Sequence, residues 1–195
     1  MPLTSVRGRI RHFIEKHAHC LGDDVLEVGS RKTNPKAWWI ENRDLARGEW
    51  LGIDMQPGIG VDQVVDIHDM PADWAGRFSG VLCSEVLEHV ARPWVALPKV
   101  REVIRPGGHI IVTTLFAFPV HGYPSDFYRY TDAGLRLLLE DAGFVDVRTE
   151  YAGEIHTTLD DHGEGRIHRR VLPMHIFATA RVPEPEEPAV SGEDW

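Results

Sequence analysis

The chain has little cysteine: Cys20 and Cys83 are the only two in 195 residues, and they stand far apart. That excludes a disulfide framework or a zinc knuckle and fits a reducing, cytoplasmic setting. No apolar run approaches the ~18 residues that a membrane span needs. Residues 1–20 carry Arg7, Arg9, Arg11, Glu15 and Lys16 where a signal peptide would have an apolar core. A basic excess is also missing. The net charge is −9, and five of the acids lie in the Pro-rich end (Glu184, Glu186, Glu187, Glu193, Asp194), leaving about −4 on the body. An acidic body argues against tight, non-specific nucleic-acid binding, although a local basic groove is compatible with it. Finally, there is no G-x-G-x-x-G loop to cradle a pyrophosphate, because Ser30-Arg31-Lys32-Thr33-Asn34 comes directly after Gly29.

The residues present form an alternation of apolar strands and amphipathic helices. Ile10, Phe13, Ile14, His17 and Leu21 recur at helical spacing and predict an N-terminal helix over 5–21. Strands are expected near 24–28, 50–54, 62–66, 78–83, 108–115, 144–151 and 174–182. Helices are expected near 35–46, 93–105 and 131–142. Pro93 fits a first helical position, and Gly107-Gly108 reads as the stop before the next strand. The expected fold is α/β: a Rossmann-like, doubly wound, seven-stranded sheet, mostly parallel, with an antiparallel terminal strand. One domain is expected over 1–182, then a disordered acidic Pro/Glu tail at 183–195.

Two strand ends carry the first functional signal. Val25-Leu26-Glu27-Val28-Gly29 ends in an acid and a glycine, and Leu51-Gly52-Ile53-Asp54 ends in an aspartate. A glycine past a strand lets backbone approach a ligand, and an acid ending the next strand can accept both hydroxyls of a ribose. On their own these residues indicate a nucleoside cofactor and leave its chemistry open.

With Asp66-Ile67-His68, the Cys83–Val90 stretch, Arg105-Pro106-Gly107-Gly108 and Asp141-Ala142-Gly143-Phe144, the order of motifs over residues 20–182 resembles the class I S-adenosylmethionine (SAM)-dependent methyltransferases. The departure is the missing second and third glycines of the first motif, which suits a cofactor without a pyrophosphate. The resemblance implies that Glu27, Gly29 and Ser30 cradle the methionine part of SAM. It implies that Asp54 holds the ribose, Met55 and Ile67 flank the adenine, and Asp66 accepts from the adenine amino group. Cys83 and Ser84 would line the methionine part near the sulfonium. Plainer readings stand beside these: Glu27 and Asp66 as helix caps, Gly29 as the start of a turn, Cys83 as a small packing residue.

Glu85-Val86-Leu87-Glu88-His89, if it opens a helix, puts Glu85, Glu88 and His89 on one face as ligands for a divalent metal. The pattern is similar to that of metal-dependent O-methyltransferases, including those of ubiquinone biosynthesis and of small-RNA 3′ ends. The plainer reading of the same residues is a solvated helix start beside the cofactor pocket. The loop from Phe116 to Tyr130 comes after the fifth strand and is placed to roof an acceptor. It is similar to a loop of small methyltransferases associated with glycan and secondary metabolism. His121 is its candidate general base, with His89 as a second, because imidazole exchanges protons near neutral pH; the alternative is that His121 completes the metal site of Glu85, Glu88 and His89. Asp126 and Arg129 read as an ion pair that orders this loop. The polar stretch 154–170, with Arg166, Arg169 and Arg170, reads as a mobile lid.

The expected function is SAM-dependent methyl transfer to an O- or N-nucleophile of a small-molecule acceptor, such as a sugar or a secondary metabolite. The alternatives are a metal-assisted RNA 2′-O-methyltransferase, a non-catalytic nucleoside-cofactor module and a nicotinamide-dependent oxidoreductase. The last would need the pyrophosphate loop that the sequence lacks.

Overall fold

The order of strands in the sheet decides where a ligand can bind. A computed structural model of the chain describes residues 5–32, 42–122, 124–160 and 167–185. The elements are α1 (Val6–His17), β1 (Val25–Val28), β2 (Trp50–Asp54), β3 (Gln63–Val64), β4 (Phe78–Ser84), α2 (Pro93–Val103), β5 (Ile104–Leu115), α3 (Asp132–Asp141), β6 (Val145–Ala152), β7 (Ile155–Asp160), β8 (Ile167–Leu172) and β9 (His175–Arg181). Seven strands form one sheet in the order β3-β2-β1-β4-β5-β9-β6. β1, β2, β3, β4 and β5 pair in parallel, and β9 runs antiparallel to both β5 and β6. The chain winds outward from β1 to β3, then returns to β4 on the other side of β1. That reversal leaves a crevice beyond the carboxyl ends of β1 and β4, the place where open α/β sheets bind ligands.

Burial explains why these runs are strands. All four residues of β1 are buried, as is β4 from Phe78 to Cys83, so each face of the sheet must be covered. Ile10, Phe13 and Ile14 of α1 cover one face, against Val25, Leu82, Ile111 and Phe177. α2 and α3 contribute Leu97, Val100, Leu135 and Leu139 to the other, with Val81, Ile110 and Ile176. Each fully buried side chain of this size contributes ~1.5–3 kcal/mol relative to exposure. Ser5 caps α1 by accepting from the Gly8 amide at 3.0 Å, and Thr131 caps α3 by accepting from Gly134 at 3.1 Å.

The seven-stranded, mostly parallel sheet agrees with the sequence reading, and four local expectations are corrected. α1 ends at His17, and Ala18–Cys20 form a 3-10 turn, so the helix stops short of Leu21. α2 ends at Val103; the Arg105–Gly108 stretch is instead a bulge in β5, which pairs Ile104 with Phe78 and resumes at His109 opposite Gly80. Gly108 fits there because a Cβ would lie 2.6 Å from the Ser79 carbonyl. The stretch 154–170 contains strands: β7 and β8 form a separate two-stranded antiparallel ribbon. β3 is reduced to two residues. Most of the helix expected at 35–46 lies outside the described residues, with only a 3-10 turn at Arg43–Leu45. Most of the 183–195 tail lies outside them too. Among the described residues no helix is long and apolar enough to cross a membrane.

Candidate cofactor and acceptor site

The loops that leave β1 and β2 build the cofactor side of the crevice. Gly29 has φ 75°, and a Cβ there would run into Cγ2 of Val86, so glycine is required on both counts. The Gly29 and Ser30 amides both donate to the Ile53 carbonyl, at 2.8 and 3.0 Å. They tie the loop to β2, so the loop can offer a ligand surface and shape but not these two amides. Ser30 is buried, and its hydroxyl lies 2.8 Å from where a Cβ on Gly52 would stand, with no hydrogen-bond partner among the described residues. Glu27 is buried, and its two oxygens accept from Asn42 Nδ2 and Trp50 Nε1, both at 3.0 Å. Burial pushes its pKa up, and these two hydrogen bonds partly offset the rise.

Asp54 ends β2 half-buried, and its Oδ1 accepts from the Gln56 amide at 2.9 Å. Met55 beside it is 68% exposed, an unusual position for so apolar a side chain. Asp66 accepts at Oδ1 from the His68 amide at 2.9 Å and stands 2.7 Å from its Nδ1. The amide bond, more than any other contact, holds Asp66 below the usual carboxylate range. Ile67 is buried in the core beneath them.

The segments that leave β4 and β5 build the acceptor side. Cys83 is fully buried, and burial drives its thiol far above neutrality, which makes it a packing residue. Ser84 shares a hydrogen bond with Thr113 at 2.8 Å. The helix expected to open at Glu85 does not form. Glu85 takes φ 55°, its amide donates to Thr113, and only a 3-10 turn comes next, at Leu87–His89. Glu85 and Glu88 therefore do not share a helical face. Glu85 Oε2 meets His175 Nε2 at 3.0 Å. Glu88 is 1% exposed and its Oε2 accepts from Thr114 at 2.8 Å. Burial first, then the nearby Glu85 charge, push Glu88 up to about 8.

His89 and His121 complete the acceptor side. His89 Nδ1 lies 2.5 Å from the Ser125 carbonyl. A carbonyl only accepts, so Nδ1 carries a proton, and the other ring nitrogen, Nε2, stands 4.0 Å from Glu88 Oε1. The His121 ring stands edge-on to His89, with centroids 4.9 Å apart. Its Nδ1 is 3.2 Å from Asp126 Oδ2, an ion-pair distance without hydrogen-bond alignment. Asp126 is in turn clamped by both terminal nitrogens of Arg129 at 2.6 and 2.8 Å. Arg129 also donates to the Phe118, Pro119 and Tyr128 carbonyls. The ion pair expected to order the loop does so through five hydrogen bonds. Tyr123 lies outside the described residues.

Glu88, His89 and His121 each offer one ligand atom, and these three atoms lie within 4.8 Å of one another. The donor set fits a divalent cation: Glu88 Oε1 is buried without a partner, and the His89 tautomer is fixed by a carbonyl, as is common around metal-bound imidazole. His121 takes the place that helical spacing assigns to Glu85. Sequence reasoning also misses His175 and the pair Asn42 and Trp50. His175 sits 90 residues from Glu85, and only the antiparallel entry of β9 brings it close.

Known proteins share both the segment and the fold. Residues 43–112 match the family described as "Methyltransferase domain". A ubiquinone biosynthesis O-methyltransferase of Chromobacterium violaceum is 28% identical over 128 residues, which are 58% of this chain and 53% of that protein. The chain thus spans about half the length of the curated relatives it matches. A SAM-dependent methyltransferase from Archaeoglobus fulgidus superposes with a TM-score of 0.63 at 16% identity, covering 91% of this chain and 95% of that one. A 1,6-didemethyltoxoflavin-N1-methyltransferase from Burkholderia thailandensis, solved with 1,6-didemethyltoxoflavin and S-adenosylhomocysteine, superposes with a TM-score of 0.60 at 15% identity, covering 93% and 80%.

Proposed function

The chain has the class I methyltransferase fold and carries a methyltransferase-domain segment, and on that premise we propose that it transfers a methyl group from SAM to an oxygen or nitrogen of a small-molecule acceptor. The observation that carries this reading is the convergence of Gly29, Asp54 and the Glu88–His89–His121 group on one end of the sheet, at the β1/β4 crevice.

SAM supplies a methyl group on a sulfonium, which a nucleophile displaces in line. Asp54 accepts the ribose hydroxyls with the lone pairs that Gln56 leaves free. Asp66 accepts from the adenine amino group through Oδ2, and Met55 covers the ring face. A carboxylate has about four acceptor sites, so Glu27 keeps capacity for the ammonium of the methionine part. Cys83 and Ser84 close the crevice beneath it. On the acceptor side, His121 Nε2 takes the nucleophile's proton, with Asp126 Oδ2 3.2 Å from the opposite ring nitrogen. His89 Nε2 is the second such base. Much of the rate comes from holding nucleophile and methyl in line.

Metal-assisted transfer is a second reading, favoured by the orphaned Glu88 oxygen between two imidazoles. Glu88, His89 and His121 would hold the cation, whose contribution would be to lower the pKa of an acceptor hydroxyl. The test is calorimetry of the full chain with SAM and NAD in parallel, then an acceptor screen read by mass spectrometry with Mg²⁺ or with chelator. Saturable SAM binding and methylated product are expected. NAD binding without SAM binding overturns the proposal, and a rate unaffected by exhaustive chelation removes the cation.

A further inference from the structure

The loop 116–130 spends its charged groups on itself. Both Asp126 oxygens accept from Arg129, and Oδ2 also accepts from the His121 amide at 2.7 Å. Arg129 donates to the Phe118 and Pro119 carbonyls, each at 3.1 Å, and to the Tyr128 carbonyl at 2.7 Å. With the two bonds to Asp126, all five N–H donors of the guanidinium are in use. The Tyr128 hydroxyl donates to the Ala91 carbonyl at 3.0 Å, and that of Tyr130 to Leu87. One ion pair therefore fixes the backbone at Phe118 and at His121 together, and it keeps nothing over for a ligand.

What the loop turns outward is apolar. Among its exposed described residues only Ser125 has a polar side chain, while Phe118, Val120 and Phe127 are 40%, 78% and 48% exposed. The Phe118 ring stands edge-on to His121 with centroids 5.2 Å apart, and His121 stands edge-on to His89 at 4.9 Å, so the three rings form a row. An acceptor within reach of His121 is thus beside the Phe118 ring as well. A sugar needs hydrogen-bond partners for several hydroxyls, and a row of rings whose charged neighbours are already occupied supplies few. A planar ring needs a π surface in edge-to-face or offset contact, which this row offers already in place.

We infer that the acceptor is a planar aromatic ring bearing an acidic hydroxyl or ring N–H, and that it packs against Phe118 while His121 takes its proton. This rests on the SAM-dependent reading of the site. The acidity of such a group suits an imidazole base. A phenol gives up its proton at about pH 10, and a saturated alcohol, like water, only at about 16. In the transfer the ring oxygen or nitrogen forms its bond to the methyl carbon, and its proton goes to His121 Nε2. The carbon–sulfur bond breaks with its electron pair left on sulfur, so the sulfonium becomes a neutral thioether.

Calorimetry of the full chain in chelating buffer, with and without S-adenosylhomocysteine, tests this with two probes. These are 2-naphthol, a planar hydroxyarene, and methyl α-D-glucopyranoside, a sugar of similar size. Wild type is expected to bind 2-naphthol saturably and about tenfold or more tightly than the glucoside. Phe118→Ala keeps the carbonyl that Arg129 holds, so its midpoint in urea stays near that of wild type, while its affinity for 2-naphthol falls about fivefold or more. Trp94→Ala removes another exposed ring, set on Tyr128, and keeps the affinity within about twofold, which separates the site from general adhesion to apolar surface. Absence of saturable 2-naphthol binding in both states, equal binding of the glucoside, undiminished affinity in Phe118→Ala, or an equal loss in Trp94→Ala overturns the inference. A chain that binds 2-naphthol through Phe118 but takes up no SAM keeps the ring site and overturns the methyl-transfer reading alone.

Discussion

His89 donates its Nδ1 proton to the carbonyl of Ser125 at 2.5 Å, across 36 residues of sequence. The Glu88 carbonyl accepts from the Phe127 and Tyr128 amides, and Tyr130 donates to the Leu87 carbonyl at 2.9 Å. The turn after β4 and the loop after β5 are thus one body, stitched mainly through main-chain atoms.

Replacing His89 with alanine should remove one of these stitches. A net hydrogen bond of this kind contributes ~0.5–1.5 kcal/mol, so His89→Ala is expected to lose about 1 kcal/mol of stability in urea denaturation. Amide exchange should rise at 125–128 and stay unchanged in α3. Uniform exchange across both segments would show that the loop does not depend on His89.

Gly29 is constrained by its backbone and by Val86. Gly29→Ala should cost ~2–3 kcal/mol, the sum of a positive-φ penalty and a steric clash. Gly29→Ala combined with Val86→Ala should recover the steric part, leaving ~1 kcal/mol for the backbone. Denaturation midpoints of the two variants, at a common m-value, separate the contributions. No recovery in the double variant would mean that Val86 is not the obstacle.

Glu88 gives stability a pH dependence of defined sign. Its folded pKa, about 8, lies above the ordinary 4.5, so the folded chain holds this proton more tightly than the unfolded one. The contribution is fully present below pH 4.5 and is lost as pH rises to about 8. Glu88→Gln lacks that loss, so in chelating buffer it should match wild type near pH 4.5 and exceed it at pH 9 by at least ~1 kcal/mol. Parallel stability profiles for the two proteins would contradict the buried, proton-holding state of this side chain.

Asp54→Ala should weaken SAM binding by about tenfold or more, since it removes the acceptor for two hydroxyls. Met55→Ala should weaken it less, by an area effect alone. Calorimetric titration separates the two, and an Asp54→Ala variant that binds like wild type would misplace the ribose.

Much of this architecture is legible in the sequence because two kinds of signal coincide. Short apolar runs mark β1, β2 and β4 close to their observed bounds, and the acid or glycine at each end marks the crevice. Spacing fails where it is shared by different backbones. Glu85, Glu88 and His89 suit an α-helical face, yet one residue with positive φ ahead of a 3-10 turn sends Glu85 toward β9 and leaves the other two together. The ribbon β7–β8 reads as loop because His156, Thr157, Thr158, Arg169 and Arg170 give neither strand an alternating face. Partners such as His175 belong to the tertiary fold alone.

The reversed direction of β9 has one more consequence. Because β6 ends and β9 begins at the same rim, everything between Ala152 and His175 must leave and return there. The connection from β6 to β9 can therefore lengthen or shorten without disturbing a single pairing of the sheet. Variation in that one connection would change only what stands at the rim beyond β6 and β9, while the five parallel strands and the loops that leave β1 and β2 stay as they are.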